Sequence, residues 1–91
     1  MTFSIVIPTK NRPKELATFF DSLLAQTRLP DQVIIIDQSS IDQVIEKDVT
    51  ILAKKAAIPL NYIHDENIQG LVMAKAAAIQ YNKCDYISFF D

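Results

Sequence analysis

Ninety-one residues, 49% of them apolar, make one small domain with enough apolar side chains to bury a core. Eleven acids against nine bases leave a net charge of −2, a poor balance for a protein that coats nucleic acid, so no nucleic-acid partner is expected. The apolar runs are a few residues long against the roughly 20 of a membrane span, no signal-like segment opens the chain, and the single cysteine, Cys84, fits a reducing, cytoplasmic compartment.

The one glycine, Gly70, excludes two large classes of phosphate binder. A dinucleotide fingerprint or a P-loop needs several glycines, because backbone N–H groups must approach phosphate oxygens with no Cβ in the way. A phosphorylated ligand would have to be neutralised by other means.

In chain order, Phe3 to Pro8 is a short β-branched run closed by a proline, which predicts a first strand. Thr9 to Arg12 is polar and loop-like. Pro13 suits a first helical position, and Leu16, Phe19, Phe20, Leu23 and Leu24 fall on one stripe of an amphipathic helix that Leu29-Pro30-Asp31 breaks. Gln32 to Asp37 is apolar on both faces, as in the interior of a parallel sheet. Ser40 with Gln43 matches a capping box, predicting a helix over 41–57. Leu60 to His64 alternates like a strand nearer an edge. Gly70 opens a third helix with Leu71, Ala74, Ala78 and Tyr81 on one face, and Tyr86 to Phe90 is a fourth strand before Asp91. The pattern β-α-β-α-β-α-β predicts half of a doubly wound α/β sheet with strand order 3-2-1-4. An apolar strand at the very end, with no helix to cover it, reads as a chain cut within a larger domain.

Ligands of such sheets bind beyond the carboxyl ends of the strands. Pro8 to Arg12, Asp37 to Ser40, His64 to Gly70 and Asp91 gather there. An aspartate at a strand end can accept from a base or ribose, or hold a hard cation; it can equally be a solvated turn residue or helix cap. His64 has no partner at metal-ligand spacing, Cys84 reads as a semi-buried small hydrophobe, Phe19, Phe20, Tyr81 and Met73 read as packing, and Lys14, Lys54 and Lys55 as solvated helix faces.

Ser4-Ile5-Val6-Ile7-Pro8-Thr9-Lys10-Asn11-Arg12-Pro13, then Leu23-Leu24-Ala25-Gln26-Thr27, resembles the opening of family 2 glycosyltransferases. Pro30 to Asp37 is similar to that family's "P-D-E-I-I-V-V-D-D-G-S" segment, Asn67-Ile68-Gln69-Gly70 with Ala74-Lys75 to its "N-x-G-x-x-x-A-R", and Asp85 to Asp91 to the approach to its D-x-D motif. The matches are in order and span essentially the whole chain.

The resemblance implies a GT-A fold, residues 1–91 forming the nucleotide-sugar (donor) binding part with the acceptor part absent. It implies an inverting, metal-assisted transferase of hexosyltransferase type, using a UDP-sugar or dTDP-sugar and a glycan or other hydroxyl acceptor, in cell-wall or polysaccharide synthesis in the cytoplasm or at the inner face of a membrane. Pro8 and Thr9 would line the base pocket, Asn11 would brace the loop, and Asp37 would accept from base or ribose. Lys75 would face the phosphates as a point charge where the family has arginine. Asp91, the first acid of D-x-D, would hold Mg²⁺ or Mn²⁺ between itself and the diphosphate.

Three departures stand out. Lys10 replaces an aromatic residue beside the base, and Gln38 and Ser39 replace the "D-G" after Asp37. The chain also stops before the second acid of D-x-D and before any general base, so these residues alone are expected to be inactive. The alternatives are a non-catalytic module that self-associates through the exposed sheet edge, a dinucleotide-binding domain, disfavoured by the glycine-free first loop, and a receiver-like domain, disfavoured by Lys10 and Arg12 where an acidic pair belongs.

Overall fold

The computed structural model describes residues 1–68 and 70–89 and, within them, all side chains but those of Gln43 and Leu71. Strands β1 (Phe3–Thr9), β2 (Gln32–Asp37), β3 (Leu60–His64) and β4 (Tyr86–Phe89) form one parallel sheet in the order β3-β2-β1-β4. Helices α1 (Pro13–Leu24) and α2 (Glu46–Lys55) cover one face and α3 (Gly70–Ile79) covers the other. This is the α/β architecture and strand order that the sequence predicts. The proposed strand end at Phe90, and Asp91, lie outside the described residues.

The centre of the sheet explains the order. Every residue of β2 is buried, as befits a strand flanked on both edges and covered on both faces. Val33 and Ile35 pack with Leu16, Phe20 and Leu23 of α1 and Val49 and Ala53 of α2. Ile34 and Ile36 face the other way, onto Val6 and the fully buried Ala74 and Ala78 of α3. Two alanines at that spacing let the helix sit close to the sheet. The rest of α3 is apolar but turned outward: Met73, read from sequence as packing, is 53% exposed and Val72 more so.

Two elements depart from the sequence reading. The segment after Ser40 is not one helix: a 3-10 turn at Ile41–Gln43 gives way to an extended Val44 (ψ 130°), and α2 starts only at Glu46. Ser40 makes no side-chain cap, its backbone N–H donates to Asn11 Oδ1 instead (3.0 Å), and the β-branched Ile41, Val44 and Ile45 do little to hold a helix together. Helix α1 likewise ends at Leu24, before Leu29-Pro30-Asp31. That later segment clasps the start of β1: Phe3 N–H donates to Asp31 Oδ2 (2.9 Å), and Arg28 lies 5.0 Å over the Phe3 ring. On the opposite edge Thr2 donates twice to Asp85, from its N–H (3.0 Å) and its hydroxyl (3.1 Å), which holds that carboxyl below its usual range.

Helix α2 ends in a Schellman turn built on the wrong residue. Ala57 N–H donates to the Lys54 carbonyl and Ile58 N–H to the Ala53 carbonyl, while Ala57 holds φ 57°. A non-glycine residue in that left-handed region costs roughly 1–2 kcal/mol, partly offset in glycine by its freer unfolded chain. Ala57→Gly is therefore expected to stabilise the protein by about 0.5–1 kcal/mol, read as a higher urea midpoint with an unchanged slope.

Candidate functional site

Register brings three strand tips level: Thr9 pairs with Asp37, and Asp37 with His64. Strand alternation then decides where the two polar residues ending β2 point. Asp37 continues the Val33–Ile35 row, toward α2, whereas Gln38 continues the Ile34–Ile36 row, toward α3.

Asp37 is 1% exposed, and its carboxylate is already engaged. Oδ1 accepts the Ser39 N–H (2.9 Å) in an Asx-type turn, and Oδ2 accepts a short hydrogen bond from the Tyr62 hydroxyl. Burial first, and the Asp37 bond second, push the Tyr62 phenol well above its ordinary value, so it stays the protonated donor.

Ser39, 2% exposed, uses three groups at once. Its N–H goes to Asp37, its Oγ accepts the Asn11 N–H (2.6 Å), and its carbonyl lies 2.7 Å from His64 Nε2. A carbonyl only accepts, so Nε2 carries the proton and His64 is a structural donor. Asn11, at φ 52°, answers with its own Oδ1 to the Ser40 N–H. Gln38 ties the third element: its N–H donates to the Thr9 carbonyl (2.8 Å), and Nε2 donates to the carbonyls of Ile68 (3.0 Å) and Gly70 (3.2 Å), at the start of α3. Gly70 itself sits at φ 81°, where a side chain would be strained.

Above this network lies an open cleft of about 730 Å³. Pro8, Thr9 and Lys10 of the β1 tip form one wall, Leu16 and Phe19 give it an apolar side, and Gln38 and Gly70 border it toward α3. Arg12 and Glu15 also reach it, so two cations face one acid.

The sequence candidates therefore separate. Pro8 and Thr9 line the cleft. Asn11 joins the β1 and β2 loops without lining it, and Asp37 lies beneath, with its carboxylate turned toward Tyr62 and Ser39. Lys75 Nζ lies 5.2 Å over the Phe89 ring, beside β4. Asp91 falls outside the described residues. Among the described residues no three His, Cys, Asp or Glu side chains come together as a metal site. Sequence reasoning missed Tyr62, which reads only as part of an alternating strand, and Leu16 and Phe19, which read as packing; it gathered Arg12, Gln38 and Gly70 at the strand ends without giving them a role. The alternation beyond the end of β2 was the available signal for Gln38.

Tyr62→Phe leaves one oxygen of a buried carboxylate short of a donor and is expected to cost about 1–3 kcal/mol. The phenol pKa is raised on folding, so its contribution is complete below about pH 10, the unfolded value, and is lost as pH climbs above it. Urea unfolding across alkaline pH checks both points: the variant should lose stability near neutrality and lose less of it on alkalinisation than the unsubstituted protein.

Comparisons with known proteins agree with this architecture. The sequence profile described as Glycosyl transferase family 2 matches residues 4–91. An uncharacterized glycosyltransferase of Haemophilus influenzae is 28% identical over 88 residues, covering 97% of this chain and 28% of that protein. The crystal structure of S. aureus TarS 1-349 superposes on the whole chain with a TM-score of 0.80 at 24% identity, across 27% of its own length, and at that identity shows the GT-A-type fold alone. The chain thus spans little more than a quarter of the relatives it matches. A profile that covers all but the first three residues, with this strand order beneath it, assigns the chain to glycosyltransferase family 2.

Proposed function

We propose that residues 1–91 are the nucleotide-sugar binding part of an inverting glycosyltransferase that moves a sugar, of hexosyl type, from a UDP-sugar or dTDP-sugar to a glycan or other hydroxyl acceptor. The observation that carries the reading is the cleft over the joined tips of β1 and β2, at the strand ends where open α/β sheets take ligands. Its shape of chemistry suits a nucleotide: an apolar side at Leu16 and Phe19 for a base, backbone polar groups at Pro8 and Thr9, and the cations Lys10 and Arg12 to attract a diphosphate.

In this reading Lys10, standing where relatives place an aromatic ring, lies against the base as a cation. Asp37 supports the base loop from below through the Ser39 N–H. At 1% exposure its carboxylate meets a base N–H directly only if the loop above it moves aside. Lys75, beside the tip of β4, adds a point charge toward the phosphates. Mg²⁺ or Mn²⁺, which would stabilise the leaving diphosphate, has its one assigned ligand at Asp91, so the roles of the described residues are derived without it. Deprotonation of the acceptor hydroxyl is assigned to a carboxylate outside residues 1–91, which leaves this chain alone able to bind donor and unable to transfer sugar. No helix among the described residues is long and apolar enough to cross a membrane, and the reading places the work in the cytoplasm or at the inner membrane face, in cell-wall or polysaccharide synthesis.

Calorimetric titration with UDP, with and without Mn²⁺ and beside NAD, tests the reading. Saturable UDP binding with none for NAD is expected. Binding of NAD in preference to UDP would overturn it.

A further inference from the structure

The loops after β1 and β2 touch through two side chains, the Asn11 amide oxygen with the Ser40 N–H and the Ser39 hydroxyl with the Asn11 N–H, and Ser39 is the one contributed by the β2 loop. Its hydroxyl oxygen accepts the Asn11 N–H at 2.6 Å, while its own backbone is pinned on both sides, by Asp37 Oδ1 at the N–H and by His64 Nε2 at the carbonyl. With the peptide fixed at both ends and the residue buried, the Oγ has little freedom: it is a rigid post. Asn11 holds a left-handed backbone (φ 52°) that asparagine tolerates better than most L-residues but does not adopt by default, so a fixed partner for its N–H holds the loop in this one conformation.

The consequence reaches the cleft. Lys10 and Arg12 flank Asn11 in sequence and both line the cleft, whereas Asn11 does not. The direction in which those two cations leave the backbone depends on the Asn11 conformation, and that conformation is anchored to Ser39 Oγ and, through Asn11 Oδ1, to the Ser40 N–H. A glycine at position 39 could reproduce the backbone bonds to Asp37 and His64 and could not reproduce the hydroxyl.

We propose that Ser39 is a positioning residue for donor binding, its hydroxyl fixing the β1–α1 loop so that Lys10 and Arg12 are preset around the nucleotide. The assignment rests on the donor-binding reading above. It concerns preorganisation: Ser39 touches no ligand and gains its effect by removing the ordering that the loop would otherwise undergo on binding.

Ser39→Ala and Ser39→Thr, compared with the unsubstituted chain by amide hydrogen exchange and by UDP titration, test it. In Ser39→Ala the Asn11 amide is expected to exchange about tenfold faster while the Ile35 amide in β2 keeps its rate, and the Kd for UDP to rise about five- to tenfold, the equivalent of one hydrogen bond. Ser39→Thr, which keeps the hydroxyl, should restore both. General destabilisation would speed Asn11 and Ile35 together and overturns the assignment. So does an Asn11 amide that opens with no change in UDP affinity, or a threonine variant that behaves like alanine. A failure of the unsubstituted chain to bind either UDP or dTDP overturns the donor reading itself, and the positioning role with it; failure of the variant comparison alone, run with whichever nucleotide binds, removes only the role of Ser39.

Discussion

A strand buried on both faces has nowhere to hide a polar tip, and that constraint organises this molecule. Strand β2 delivers Asp37, fully buried, into the α2 side of the sheet, and the residue after it, Gln38, largely buried at the edge of the cleft, into the α3 side. A buried carboxylate without partners would cost several kcal/mol, so Asp37 collects the Tyr62 hydroxyl and the Ser39 N–H. Gln38 likewise collects two carbonyls at the start of α3. Satisfying β2 therefore binds β3, α3 and the β1 loop to its end. The cleft is the space those obligations leave open.

This explains how the β1 and β2 loops are held together without a glycine-rich loop. Glycine-rich phosphate loops work by letting backbone N–H groups approach the anion. Here the backbone donors of the β2 loop are spent internally: the Ser39 N–H on Asp37, the Ser40 N–H on Asn11. Charge facing the cleft comes from Lys10 and Arg12 on the neighbouring loop. The departures from the family pattern at 38 and 39 fit together in this light, since a glutamine that reaches α3 and a serine that reaches Asn11 tie down two loops at once.

The fold was legible because its signals are local and redundant. The all-apolar β2, the Leu16–Leu24 stripe and Gly70 each mark an element by period or by backbone need, and the strand order follows from crossover geometry. What was not legible depended on partners distant in sequence. The capping box at Ser40 lost because the Ser40 N–H is taken by Asn11, 29 residues earlier. The inward face of α3 through Ala74 and Ala78 was legible from its spacing, but with Lys75 as its one charged side chain the helix gives little sign that Met73, on another face, is left exposed. Asp37 offered the right chemistry at the right strand end, yet its direction was set by alternation and its partner by Tyr62 on the next strand. Pro8 and Thr9 come from the family resemblance and from their place at a strand end, and both lie on the wall of the cleft at the β1 tip.

Chemical-shift mapping of the ¹⁵N-labelled chain during UDP titration is the most direct test of where the account puts the nucleotide. The account predicts that the amides of Thr9, Lys10, Asn11, Gln38 and Gly70 move together along one binding curve, with the Ser39 amide following. Shifts confined to residues 41–51, which line a second open hollow beside the start of α2, with the β1 tip unmoved, would contradict it.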